Sequence, residues 1–329
     1  ESFKWKNLAS HNAGVMVIIV GVSRKRSIQP KLFEVAADQS CIEKSVRVIG
    51  PYLIPNTDVI IERRSKPISE LEEVSLGNAP YDGGNLILSP DELHSLELTD
   101  AQERKWLRFL IGSNEIIKGD RRFCLWIEDS ELDEAMKSPA IKQRIEEVRE
   151  MRLSSSDAGT RAMAKRPHQF REMNSAKHHT IAIPLVSSES REYLTPDIIF
   201  QKCSMTNKSY AIYDGQIINI AILSSKMHLC WISAICGKLE TRLSFSNKMG
   251  WNTFPLPQLT EKNKIDLEKC AEQILLAREA HFPKTIAELY EPDSMPQNLR
   301  EAHAENDEVL ERIYVGRRFR NDTERLEKL

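Results

Sequence analysis

LSSKMHLCWISAICGKLETRLSFSNKMGWNTFPLP, residues 223–257, changes character at Gly237. Before the glycine, an apolar segment bearing Ser, Met, His and Trp predicts a helix. After it, Leu239, Thr241, Leu243 and Phe245 alternate with Glu240, Arg242 and Ser244. A period of two marks a strand with one buried face, which sets Glu240 and Arg242 side by side on the exposed face. Such a pair suits both halves of a G·C base pair: Arg donates to guanine O6/N7 and Glu accepts from cytosine N4. The bland alternative is a surface ion pair that contributes almost nothing.

Outward from this stretch, bulk properties bound the rest. A chain of 329 residues suits two or three domains, and 41% hydrophobic residues supply a packed core. The net charge of −2 excludes a globally basic nucleic-acid binder, so any such site is a local patch. Two segments qualify. Between residues 104 and 122, Arg104, Lys105, Arg108, Lys118, Arg121 and Arg122 outnumber Glu115 and Asp120. Between residues 202 and 248, Lys202, Lys208, Lys226, Lys238, Arg242 and Lys248 outnumber Asp214 and Glu240. The acidic last 70 or so residues point away from DNA. The six cysteines form no Cys-x-x-Cys pair and read as reduced core residues of a cytoplasmic protein. His228, Cys230 and Cys236 are poorly spaced for zinc, and no metal site is expected. No signal peptide or apolar run near 18 residues suggests a membrane. A first residue Glu1 in mid-pattern suggests a piece of a longer protein.

Taken in order, GVMVIIVGV at residues 14–22 has the form of a strand buried on both faces, yet no βαβ partner stands beside it. Residues 51–68 read as an irregular connector. Asn78-Ala79-Pro80-Tyr81 approximates the Asn-Pro-Pro-Tyr/Phe element of adenine-N6 methyltransferases, but Ala replaces the first Pro and no buried strand precedes it. A glycine-rich loop for S-adenosylmethionine is also missing. The expectation is therefore no catalytic residue and no cofactor in this stretch of chain.

From residue 85 the pattern is mixed α/β (α+β). Thr99 and Gln102 form a capping box for a helix whose apolar face carries Trp106, Leu107 and Leu110. Ser113 and Asn114 are candidates for the DNA backbone or a base edge. Arg121 and Arg122, at the mouth of a strand over residues 123–127, are candidates for phosphates. Ser138-Pro139 opens a helix with Ile141, Ile145 and Val148 inward and Arg144, Arg149 and Arg152 outward. A strand over residues 180–186 leads into a polar run in which Ser188 and Arg191 are candidate DNA contacts, or a helix cap with solvated neighbours. Lys226 and Lys238 complete the backbone candidates. The tail is helical, with starts at Thr260, Thr285 and Ser294; His303 and Asp307, one turn apart, read as a packing face.

Ser224-Ser225-Lys226-Met227-His228-Leu229-Cys230-Trp231, Gly237-Lys238-Leu239, Ser244-Phe245-Ser246 and Asn252-Thr253-Phe254-Pro255-Leu256-Pro257 resemble the MmeI family. Its members are large single-chain bacterial DNA adenine methyltransferases, many fused to an endonuclease (type IIG/IIL restriction–modification enzymes). The runs at residues 184–193 and 289–303 extend the resemblance over the whole chain. It implies that the Asn-x-Phe-Pro-x-Pro element closes a target-recognition domain and that the positions of Glu240 and Arg242 read bases. Residues 3–22 then resemble the last strands of a methyltransferase sheet, and Phe3 or Trp5 stacks on a flipped adenine or packs in a core. The implied division is residues 1–80 for the methyltransferase remnant and connector, 81–257 for target recognition and 258–329 for a C-terminal helical module. The parent would use S-adenosylmethionine in the bacterial cytoplasm. Its partners would be double-stranded DNA and the upstream methyltransferase domain of the same chain. A non-enzymatic specificity subunit docking on a separate methylase is the alternative; an unrelated hydrolase or RNA binder finds no supporting cluster.

Overall fold

A computed structural model describes residues 3–4, 16–24, 29–35, 40–55, 59–239 and 242–329. Near the start lie two antiparallel ribbons, β1 (Phe3–Lys4) with β2 (Met16–Val17) and β3 (Lys31–Val35) with β4 (Cys41–Ser45). Of the doubly buried strand expected over residues 14–22, residues 14 and 15 lie outside the described residues. Among residues 16–22, Met16–Val17 form the paired strand, and Ile18, Ile19, Val20 and Val22 are 44, 83, 64 and 92% exposed. A two-stranded ribbon has no second layer to cover such residues.

The main body opens with β5 (Ser75–Leu76), β6 (Ile87–Leu88), α1 (Pro90–Ser95), α2 (Asp100–Trp106), β7 (Leu107–Ile111), α3 (Ser113–Lys118) and β8 (Phe123–Leu125). It continues with α4 (Leu132–Ala135), α5 (Pro139–Leu153), α6 (Ala158–Ala162), β9 (Thr180–Pro184), β10 (Val186–Ser187), β11 (Asp197–Ile199), β12 (Cys203–Met205) and β13 (Ser209–Tyr213). Next come α7 (Ile218–Leu223), α8 (Lys226–Ile235), β14 (Lys238–Leu239) and β15 (Arg242–Ser244). The helices α9 (Glu261–Glu279), α10 (Ile286–Leu289), α11 (Gln297–Val315) and α12 (Asp322–Lys328) end the chain. The strands of the main body form three sheets, ordered β12-β7-β8-β6, β11-β9-β13-β5 and β10-β15-β14. The class is mixed α/β with a C-terminal helical region.

Two cores organise this body. In one, Ile141, Ile145 and Val148 of α5 lie under Leu88, Leu110 and Leu125, all fully buried. In the other, α7, α8 and the inner face of α9 pack on β9 and β13. Local chemistry sets the helix starts. Thr99 with Gln102, Thr260 with Asn263 and Thr285 with Glu288 each make the reciprocal bonds of a capping box. Ser225 caps α8 by accepting from the His228 N–H at 3.1 Å.

Two expectations are corrected. Leu107 and Leu110 belong to β7, because α2 ends at Trp106; β7 pairs with both β8 and β12, and sheet pairing outweighs the helical spacing. Arg152 is not on the outer face of α5 but fully buried. Its guanidinium donates to five carbonyls, of Pro80, Tyr81, Met163, Arg166 and Gln169, at 2.7–3.1 Å. Those acceptors replace water, the condition for burying a charge, and burial pulls the group down to about 10.

The first two sheets join where Asn78 bridges Thr206. Gly77 makes this possible, since a Cβ there would lie 2.1 Å from the Thr206 carbonyl oxygen. Asn78 is fully buried, and its amide bonds to Asn174 backbone groups and Ser204 Oγ at 2.9–3.1 Å. Its side chain thus joins the segments at Asn174 and Ser204.

Candidate nucleic-acid interface

Strand ends from different sheets converge on an open groove of about 750 Å³. From one wall come Ser113, Asn114 and Glu115, just after β7, and Asp120, Arg121 and Arg122, just before β8. These two segments meet because β7 and β8 are antiparallel neighbours. Leu185, Val186, Lys208 and Arg242 line the rest. Four cations thus face two carboxylates, and one of those, Glu115, is withdrawn with its side chain 3% exposed. Such a surface suits a polyanion.

The Ser113 hydroxyl is already engaged. It donates to the Lys208 carbonyl at 2.5 Å and accepts from the Leu185 N–H at 2.9 Å. Ser113 thereby ties together the segments that line the groove, while Asn114 beside it is exposed. Glu115 takes Arg122 Nε on Oε1 at 2.7 Å and the Gly112 N–H on Oε2 at 2.8 Å.

The stretch around Arg242 differs from the single strand expected. Leu239 pairs with Arg242 and Lys238 with Leu243 in antiparallel register, so the chain reverses between 239 and 242. Thr241 and Glu240 lie outside the described residues, as does Trp5; of Phe3 only the backbone is described. Leu243 and Phe245 are buried and Arg242 exposed, in keeping with the alternation, whereas Leu239 is 52% exposed. The reversal removes Leu239 from the buried face. β15 also pairs with β10, Val186 opposite Ser244 and Ser187 opposite Leu243, and Val186 and Arg242 both line the groove.

The remaining candidates lie apart. Lys226 and Lys238 line a second cavity of about 770 Å³ with Glu192, Tyr52 and Arg325. Lys226 Nζ stands 5.3 Å from the Tyr193 ring centroid. Ser188 Oγ is 2.9 Å from Ser190 Oγ, and Arg191 is half-buried, which lowers its pKa. None of these four lines the groove. From sequence, Lys208 stands out only as one cation of the 202–248 patch, and Leu185 and Val186 only as part of the strand over residues 180–186. Lys208 stands in the Thr206-Asn207-Lys208-Ser209 turn between β12 and β13, where Asn-Lys between two short apolar strands is the usable signal.

His303 and Asp307 lie in a buried seam. Tyr193 stacks on His303 at 4.0 Å, and His303 Nε2 meets the Tyr290 hydroxyl at 2.7 Å. Asp307 accepts from the Tyr193 hydroxyl at 3.2 Å and the Lys226 N–H at 2.8 Å. Burial pushes Asp307 up to about 6 and holds His303 well below the usual histidine range.

The family model of the MmeI target recognition domain matches residues 55–258, and that of the MmeI C-terminal domain matches residues 259–329. DNA methyltransferase A of Bacillus subtilis (strain 168) is 36% identical over 335 residues, covering all of this chain and 37% of that protein. A solved structure of the type IIL restriction–modification enzyme MmeI in complex with DNA aligns with a TM-score of 0.87 at 31% identity. That match covers 99% of this chain and 44% of the solved one. This chain thus spans less than half the length of either relative.

Proposed function

The chain belongs to the MmeI family, and from that premise we propose that it is the sequence-recognising part of a DNA adenine-N6 methyltransferase of the restriction–modification type. The observation that carries this reading is the groove, where Arg121, Arg122, Lys208 and Arg242 are gathered from separate strand ends. In this reading Arg121 and Arg122 meet phosphates, and Asn114 meets the backbone or a base edge. Arg242 donates to a guanine, with Glu240 as the acceptor for the paired cytosine. Ser188, Arg191, Lys226 and Lys238 become outlying contacts at most, since they sit outside the groove.

The division at residues 80 and 257 follows from the same reading. Residues 1–80 hold the end of a methyltransferase domain, whose upstream part binds S-adenosylmethionine and flips adenine with Phe3 or Trp5 as the stacking ring, and a connector that the target-recognition match, from residue 55, already includes. The exposed Ile18, Ile19, Val20 and Val22 support this assignment, because an upstream sheet layer would cover them. No helix among the described residues is long and apolar enough to cross a membrane, and the proposed place of work is the bacterial cytoplasm.

The test is a methylation-site map of the full-length natural protein beside its Glu240→Arg/Arg242→Glu double variant. A changed base pair at one position of the site supports the reading; an identical map refutes base reading by this pair.

A further inference from the structure

Glu115 presents a puzzle: a carboxylate beneath a groove that suits polyanions opposes binding by its charge. Its geometry resolves the puzzle. Both oxygens are engaged, Oε1 by Arg122 Nε at 2.7 Å and Oε2 by the Gly112 N–H at 2.8 Å. Gly112 leaves just enough room, since a Cβ there would lie 3.0 Å from Oε2 and 2.7 Å from Thr206 Oγ1. The carboxylate is therefore fixed under the first turn after β7. Arg122 keeps 40% of its side chain exposed, and Nε is the nitrogen that Glu115 engages. A guanidinium held through Nε turns its two terminal nitrogens the other way as a planar fork. With an exposed partner, such a pair adds little stability.

We propose that Glu115 is a positioning residue for DNA binding, holding Arg122 so that its terminal nitrogens meet the oxygens of one phosphodiester. This rests on the function proposed above.

The experiment uses the full-length protein and a pool of random-sequence 30-base-pair duplexes, titrated across a salt series. Arg122→Ala should weaken binding about tenfold and lower the log–log salt slope by about 0.9, the loss of one phosphate contact. Glu115→Ala and Glu115→Gln should lower the slope by the same amount, and Glu115→Ala/Arg122→Ala should be no worse than Arg122→Ala. Lost folding alone reduces active protein without changing the slope, so these outcomes support positioning. A wild-type slope in both Glu115 variants, or effects that multiply in the double variant, overturns it. An unaffected Arg122→Ala also overturns it while leaving the proposed function standing, whereas a wild-type protein that binds no duplex at any salt overturns both.

Discussion

The groove and the seam between α11 and the recognition domain use the same side chains to opposite ends. Behind the seam, within the C-terminal helices, Glu311 of α11 takes Arg325 Nε and Nη2 of α12 at 2.8 and 2.6 Å and the Phe319 N–H at 2.7 Å. Arg278 donates to the Tyr290 hydroxyl and the Pro196 carbonyl. Charge there is spent on backbone and neighbours, and through Arg278 it joins α9 to the segment at Pro196. In the groove, the side chains of Arg121 and Arg242 are exposed and that of Arg122 partly so. Charge buried with its partners serves assembly, while charge at strand ends stays accessible to a ligand.

The sharpest way to break this contrast is Arg152→Met, which takes the guanidinium donor from five carbonyls and leaves Met163 and Arg166 with a backbone N–H partner only. It should cost about 3–5 kcal/mol, read by urea unfolding, and a loss under about 1 kcal/mol would show that buried charge is dispensable here. Next in size is the response to acid. His228 is fully buried among Phe245, Trp251 and Phe254, and burial pushes it down to about 4. A depressed histidine contributes stability that is complete above about 6.5 and is lost as pH falls toward 4, at up to about 1.4 kcal/mol per pH unit. Asp307, raised to about 6, has the opposite sign: its contribution is complete below about 3.8 and is lost as pH rises through 6. Three buried histidines held low (His168, His228 and His303) against two aspartates held high (Asp197 and Asp307) make net acid loss the expected outcome. Thermal melts at pH 7 and pH 5 should show it, and His228→Gln should narrow the gap.

Arg242→Ala should cost about 1–3 kcal/mol in discrimination at one base-pair position and leave the melting temperature unchanged. A melting loss instead would place this residue with the seam. The smallest effect is expected for Arg121→Ala, a uniform weakening on all sequences with a salt slope shallower by about 0.9, read by the duplex titration above.

What could be read from the chain alone follows the range of the interactions. The start of α5 at Pro139 and the capping boxes at Thr99, Thr260 and Thr285 depend on residues within one turn of each other, and they stand where expected. Leu107 and Leu110 were misplaced because an apolar run after a capped helix suits a helix or a strand until its partners are known. Arg152 falls on the polar side of its helix by spacing, and only the approach of residues 80–81 and 163–169 makes that side interior. The reversal after Leu239 has no Gly or Asn between the strands to announce it. The groove candidates Asn114, Arg121, Arg122 and Arg242 were found by residue type, but their meeting place depends on strand order, as does the exclusion of Lys226 and Lys238.

Ser113 has a mechanical consequence. One hydroxyl ties the turn after β7 to the Lys208 carbonyl and the Leu185 amide, so opposite jaws are clasped to a single spacing. In the reading proposed above, a duplex seated between them adapts its own shape. Substituting Ser113→Ala would then relax the demand for a particular duplex width and stiffness, read as tolerance of flanking sequences that no side chain touches.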